Sequence, residues 1–421
     1  MTGLVLVGLL AGLLAMAVWA GLALMTTGLV TLGLFKDVPP ITVLAFNTWT
    51  GLTEVGLAPV PLFVLMGEIL FRSRLADRLF AALSPLTAPI PGRLLHLNVL
   101  SCALFAAACG SSAATTATVG RVTVDQLLDR GYNRRLVIGS LCGAGTLGFL
   151  IPPSIVLILY GVLADVSILD LFLAGILPGA ILAAAFMLYL ALAGRAEGLG
   201  AERQRVTVGS LTALLPTLGL IAAVLGSLYA GLATPSEAAV IGVAGALILA
   251  AAEGSLTPAM LKQAMEGAIK TIAMLGLVLA GAFFLSRVAA YLGLPQAAAA
   301  GLASLSLPPA FLIAALVGLF ILLGMVLDGL SIMVMTLPFV APLIDSAGFD
   351  AIWFGIFLVI VVEMAQITPP VGFNLYVVQS LTGEPLGRAA RAALPFFLIM
   401  VGMIALLSLV PGIATVIPAR F

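Results

Sequence analysis

Apolar stretches long enough to cross a bilayer follow one another along almost the whole chain, and the polar connectors between them are short. The longest connector, Ala193 to Ser210, has no room for a soluble domain. In hydrocarbon every backbone N–H and C=O must be paired within the protein, which leaves helices and closed barrels. Unalternating runs of this length read as helices. Composition agrees: 62% of residues are hydrophobic and 9% charged, and mean hydropathy is +1.25. Soluble domains need about 25% charged residues to cover their surface. The 45 glycines and 24 prolines suit membrane helices that pack closely or break. The fold class is therefore an all-α polytopic membrane protein, with residues 1–421 as a single membrane domain.

Several functions are excluded at once. Net charge is zero with no basic cluster, so there is no footprint for nucleic acid. Cys102, Cys109 and Cys142 lack metal-ligand spacing and read as small packing residues, with no transition metal implied. Leu4 to Phe35 has no basic n-region and far exceeds a ~7–15-residue signal core, so it reads as a retained first span.

The charges fix an expected topology. Positive residues gather at Arg72/Arg74/Arg78/Arg93, Arg121/Arg130/Arg134/Arg135, Arg195/Arg203/Arg205, Lys262/Lys270 and Arg388/Arg391. The connectors at Lys36-Asp37, Asp165 to Asp170, Gly231 to Pro235, Gly293 to Leu307 and Asp345 to Asp350 are poor in them. The positive-inside rule places the first set in the cytoplasm and the second outside. The apolar stretch 94–120 then has both ends inside. Folded into two half-helices of about 13 residues, each reaches only ~20 Å, short of a ~30 Å core. It reads as a re-entrant hairpin with its tip at Gly110 to Thr116. The stretch 309–344 has both ends outside and reads as a second hairpin, its tip at Leu327 to Ser331.

Each hairpin is followed by a helix that two adjacent prolines must interrupt: Pro152-Pro153 within 136–164, and Pro369-Pro370 within 351–381. Pro152 and Pro369 stand 217 residues apart, as do Ser111 and Asp328 at the hairpin tips, and Pro178 and Pro395 in the following spans. The charges give the two halves opposite orientations. Inverted repeats with paired broken helices point to a secondary transporter whose site lies at the midplane. The spans within 211–252 read as a static frame. The chain has no phosphate-binding glycine loop with a lysine, so pumping must draw on an ion gradient or another chain.

Several segments resemble the large membrane subunit of tripartite ATP-independent periplasmic (TRAP) transporters, the DctM-like family, across nearly the whole chain. They are Pro61 to Glu68, Gly110 to Ala113, Gly148 to Ser154 with Tyr160-Gly161, Ala174 to Gly179, Thr234 to Ala239 and Thr368 to Leu375. The resemblance implies an elevator-type sodium symporter for organic acids such as C4-dicarboxylates or sialic acid, in a bacterial inner membrane. It also implies two partners, a small membrane subunit and a periplasmic binding protein, and no cofactor beyond Na+ as coupling ion.

Candidate sites follow. Gly110, Ser111 and Ser112, with carbonyls freed around Gly148, Ile151 and Pro152, would offer oxygens to one sodium ion. The plain alternative is close packing by small residues. Asp328, Gly329, Thr368, Gly372 and Asn374 would form a second site. A carboxylate at such depth costs roughly 2.5–3.5 kcal/mol and so is read as functional, although Asp328 could equally cap the following helix. Ser154, Thr115, Glu363 and Arg287 are the candidates for contact with substrate; Arg287 could instead snorkel to the interface. Glu237 reads as a first-turn acid, Glu68 as a helix ion pair with Arg72, and His96 as an interfacial residue.

Two other functions compete. One is a stand-alone sodium/organic-anion elevator symporter that needs no binding protein. The other is an intramembrane enzyme, which the lone histidine and the absence of a catalytic motif disfavour.

Overall fold

The computed structural model describes residues 2–195, 212–294, 296–297, 300, 309–325 and 327–420. Arg203 and Arg205, and most of the Gly293 to Leu307 connector, lie outside the described residues. Among those described, all regular structure is helical. Six helices are long and apolar enough to cross a membrane: Val55–Arg72, Ile168–Arg195, Pro235–Ala252, Pro258–Tyr291, Gly329–Ser346 and Leu386–Leu409.

The region read as one first span is two helices, Thr2–Ala15 and Ala20–Phe35, which pack against each other. The reversal lies at Ala17, whose φ is 58°. No charge, proline or polar cluster marks it, which is why hydropathy alone merges the two.

The 217-residue offset carries through to the helix boundaries. Two antiparallel arms, His96–Cys109 and Ser112–Asp129, form the first hairpin; Pro309–Gly324 and Gly329–Ser346 form the second. Ser112 and Gly329 open corresponding arms. The side chains just before them, Ser111 and Asp328, cap them by accepting from the N–H groups of Ala114 and Ser331. The next helices begin at Arg134 and Ala351, capped by Asn133 and Asp350 through the N–H groups of Arg135 and Trp353. The second arm of the first hairpin runs past Gly120 to Asp129. The positive residue Arg121 sits exposed on it without ending it.

Both broken helices are interrupted at their prolines. The first runs Arg134–Gly145, passes through a 3-10 turn at Thr146–Gly148, and resumes at Ile155–Ala164. The second runs Ala351–Gln366 and resumes at Phe373–Thr382. The Pro152–Pro153 and Pro369–Pro370 bonds are both cis.

The halves interlock. Helix 134–145 packs on Leu386–Leu409 of the second half, and 351–366 packs on Ile168–Arg195 of the first. Arm 112–129 packs on 373–382, and arm 329–346 packs on 155–164. Each of these pairs maps onto its counterpart under the 217-residue offset. A core that belongs to neither half alone is the result. Phe186 and Phe396 meet in it edge to face with ring centroids 5.2 Å apart, and Tyr160 reaches across to donate to the Ala351 carbonyl at 2.6 Å.

Charged residues gather at the two ends of the molecule. At one end Arg78 pairs with Glu253 at 3.5 Å, and Glu384 pairs with Arg134 at 2.7 Å and Arg388 at 3.3 Å. Gly267, between Lys262 and Lys270 in the chain, lies against the Glu68–Arg72 ion pair. At the other end Glu54, Asp165, Pro235 and Arg287 share one cleft. Helix 235–252 runs from that cleft to Glu253, a rise of ~27 Å for its 18 residues, about one hydrocarbon core.

Candidate functional site

The first hairpin tip is lodged in the first break. Gly110 takes φ +62°, and a Cβ there would lie 2.6 Å from the Pro153 carbonyl oxygen and 3.2 Å from the Ile155 nitrogen. A Cβ on Gly148 would lie 2.4 Å from Ser112 Cα. Backbone therefore meets backbone here, and only glycine permits the approach. Ser111 Oγ accepts from Ala114 N–H at 3.5 Å, and Ser154 Oγ caps its own helix by accepting from Leu157 N–H at 3.4 Å. Ile151 and Pro152 face the other way, against Gly179 and Gly175 of helix 168–195. Of the first candidate set, the structure thus brings Gly110 to the Pro153–Ile155 segment and Ser112 to Gly148. Ile151 and Pro152 sit behind the break.

A carboxylate from the other half completes this junction. Glu363, fully buried in the last turn of helix 351–366, accepts at Oε1 from Ser112 Oγ–H and from Phe149 N–H, the latter at 3.0 Å. Its Oε2 is buried with no partner. Neither Glu363 nor Asp328 enters any salt bridge among the described residues.

The second tip lies where the two halves meet. A Cβ on Gly329 would contact Phe149 Cε2 and Val362 Cγ1 at 2.8 Å and Gln366 Nε2 at 3.2 Å. Asp328 uses both oxygens on Ser331: Oδ2 accepts from its N–H at 3.1 Å and Oδ1 from its hydroxyl at 2.5 Å. In the second break Gly372 takes φ +49°, close to the carbonyl oxygens of Gln366 and Thr368. The Thr368 hydroxyl donates to the Met364 carbonyl at 2.8 Å. Asn374 is fully buried, and neither its Oδ1 nor its Nδ2 has a partner.

Thr115, also fully buried, has an unpartnered hydroxyl. Buried polar atoms are nearly always satisfied. Thr115, Asn374, Gln366 Nε2 and Glu363 Oε2 are, with others elsewhere such as Thr27 and Asn98 Oδ1, buried polar atoms without a protein partner among the described residues. Arg287 is elsewhere. It is exposed in the cleft it shares with Glu54 and Asp165, a cavity of about 800 Å³, where its Nε donates to Asn47 Oδ1 at 3.2 Å. Glu237 forms a capping box with Thr234, and His96 is buried with its Nε2 2.6 Å from the Pro91 carbonyl oxygen.

Phe149 and Gln366 were missed as site residues. Gln366 stands three positions after Glu363 on one helix, a spacing that puts both on one face. Nothing local signals the part played by the Phe149 N–H.

The model of the family described as "Tripartite ATP-independent periplasmic transporter, DctM component" matches residues 7–413. The C4-dicarboxylate TRAP transporter large permease protein DctM of Pseudomonas aeruginosa is 32% identical over 86% of this chain and 86% of its own length. The sialic acid TRAP transporter large permease protein SiaM of Vibrio cholerae is 28% identical over 88% of each. The fold resembles the crystal structure of the Alcanivorax borkumensis YdaH transporter, with a TM-score of 0.63, 16% identity and 88% of each chain covered.

Proposed function

Since the chain belongs to the DctM component family of TRAP transporters, we propose that it is a sodium-coupled permease importing an organic acid delivered by a periplasmic binding protein. It is a multi-pass protein of the bacterial inner membrane, one component of a tripartite transporter and not an enzyme. A small membrane subunit is its partner in the bilayer. The substrate is a carboxylate of the class named for the relatives, C4-dicarboxylates or sialic acid.

The observation that carries this reading is the pairing of each hairpin tip with a broken helix. Broken helices release carbonyls, and hard cations take oxygen ligands. The first sodium site is formed by Gly110, Ser111, Ser112 and the segment that starts at Gly148, with Ile151 and Pro152 behind it against helix 168–195. The second uses Asp328, Gly329, Thr368, Gly372 and Asn374. Asp328 serves there while capping its helix, because each carboxylate oxygen has a second lone pair. Thr115 and Ser154 offer hydroxyls to the substrate, and Arg287 draws the anion into the outer cleft. The first arms, His96–Cys109 and Pro309–Gly324, reach only ~21–24 Å, short of a ~30 Å core, so both hairpins re-enter without crossing, while the 18-residue second arms run on past the bilayer edge. The interlocked halves move as one body against a frame that includes 215–229 and 235–252.

Reconstitution tests the partnership. Proteoliposomes with both membrane subunits, a sodium gradient and loaded binding protein should accumulate substrate, and omission of any one should abolish uptake. Full-rate uptake of free substrate by the large subunit alone would contradict the reading.

A further inference from the structure

We propose that Glu363, although it comes from the second half of the chain, is a positioning residue of the first ion site. It acts through Ser112 and Phe149 and so makes the second broken helix responsive to whether that site is filled. The inference rests on the functional reading above and goes beyond it, because it joins the two sites.

Two donors from separate elements converge on one oxygen. Ser112 is the first residue of the tip's second arm. Phe149 directly follows the 3-10 turn of the first break, and its N–H is shared between the Leu147 carbonyl and Glu363 Oε1. Glu363 Oε1 accepts from both, while Gly148 presses against Ser112. The tip and the turn are therefore held at one mutual distance by a carboxylate that belongs to neither. Losing it would strand the buried Ser112 hydroxyl and leave the Phe149 N–H only the Leu147 carbonyl, which favours a rearranged tip.

The tie is one-sided. The residue 217 positions earlier is Thr146, whose hydroxyl donates back to the Gly143 carbonyl at 2.6 Å. The second tip is satisfied within itself, through Asp328 and Ser331. Only the first tip, among the described residues, is held by a carboxylate from the opposite half. Among the described residues, no charged side chain pairs with Glu363. The helices packed against 351–366 carry theirs near their ends, at Asp170, Arg195, Asp345, Arg388 and Arg391, apart from the self-capped tip at Asp328. Glu363 lies three residues before the end of its helix at Gln366, whose Nε2 has no partner among the described residues. A cation drawing the first tip closer would therefore pull on the segment that shapes the second site.

The role depends on an acceptor at the right reach and not on charge, so two conservative variants separate the possibilities. Glu363→Gln keeps an Oε1 acceptor at the same reach and loses the carboxyl group. Glu363→Asp keeps the carboxyl group and loses one methylene of reach. The experiment titrates sodium in proteoliposome uptake by the complete transporter and reads half-saturation, Hill coefficient and maximal rate. Glu363→Gln should stay within about threefold of wild type in half-saturation and keep its Hill coefficient. Glu363→Asp should raise half-saturation about tenfold and lower the Hill coefficient, as expected when both donors lose the carboxylate oxygen. A merely structural residue would lower the maximal rate and leave half-saturation alone. Asp behaving as wild type, Gln failing as badly as Asp, or both variants matching wild type would each overturn the inference. A wild type indifferent to sodium would overturn the functional reading, and this inference with it.

Discussion

The Ser112 hydroxyl donates to the Glu363 carboxylate across 251 residues of chain, joining the first hairpin tip to the helix that leads into the second break. The two halves are thus tied by a polar bond at their functional ends as well as by the apolar packing between them.

Backbone contact at the first tip makes Gly148 intolerant of a side chain. A Cβ would fall 2.4 Å from Ser112 Cα and 2.5 Å from its nitrogen, and neither can turn aside. Gly148→Ala should lower stability by about 1–3 kcal/mol, the usual cost of overpacking. It should also weaken sodium dependence. Thermal unfolding in detergent, paired with sodium-titrated uptake, checks both; wild-type behaviour in both would show that the tip does not sit in the break.

Asp328 combines a cap with a proposed ligand, and two substitutions divide them. Asn caps helices as well as Asp does, so Asp328→Asn should leave stability unchanged while the sodium half-saturation of uptake rises. Asp328→Ala should do the same to sodium and also cost about 1 kcal/mol of stability. If only the Ala variant shows any change, Asp328 is a cap and nothing more.

Asn374 buries an amide with no partner at either atom. Asn374→Leu removes two unsatisfied groups at similar volume, so thermal stability of the empty protein should hold or rise. Uptake should fall about tenfold or more, the effect of losing a hydrogen-bonding group worth ~1–3 kcal/mol in a buried site. A variant that is both less stable and fully active would mean that Asn374 serves packing alone.

The re-entrant reading has its own test. Arg93→Cys and Arg130→Cys flank the first hairpin and should both label from the cytoplasmic side, and Asp345→Cys from the outer side. Labelling of the first two from opposite sides would make the hairpin a full span.

Membrane character, the helical class, the family and the double-proline breaks were legible in the sequence because each is written in local chemistry. Proline interrupts a helix wherever it falls, and charge resists burial whatever the fold. The 217-residue landmarks were legible for the same reason: Ser111 and Asp328 are both caps, and capping is a short-range event. The reversal at Ala17 was not legible, because an alanine at φ 58° among apolar residues leaves no compositional trace. The extension of the second arm to Asp129 was hidden because Arg121 reads as an end, yet an exposed arginine is compatible with a continuing helix. The tie from Glu363 was out of reach for a different reason. It depends on how the halves interlock, and an acid three residues before a break reads equally well as a substrate contact until its neighbours are known.

The most direct test of two oxygen-lined ion sites at the hairpin tips is sodium-titrated uptake of organic acid by the complete transporter in proteoliposomes. The account predicts uptake that requires an inward sodium gradient, rises with sodium at a Hill coefficient above one, and loses that cooperativity in Asp328→Asn. Uptake that proceeds undiminished in potassium with no sodium present would contradict it.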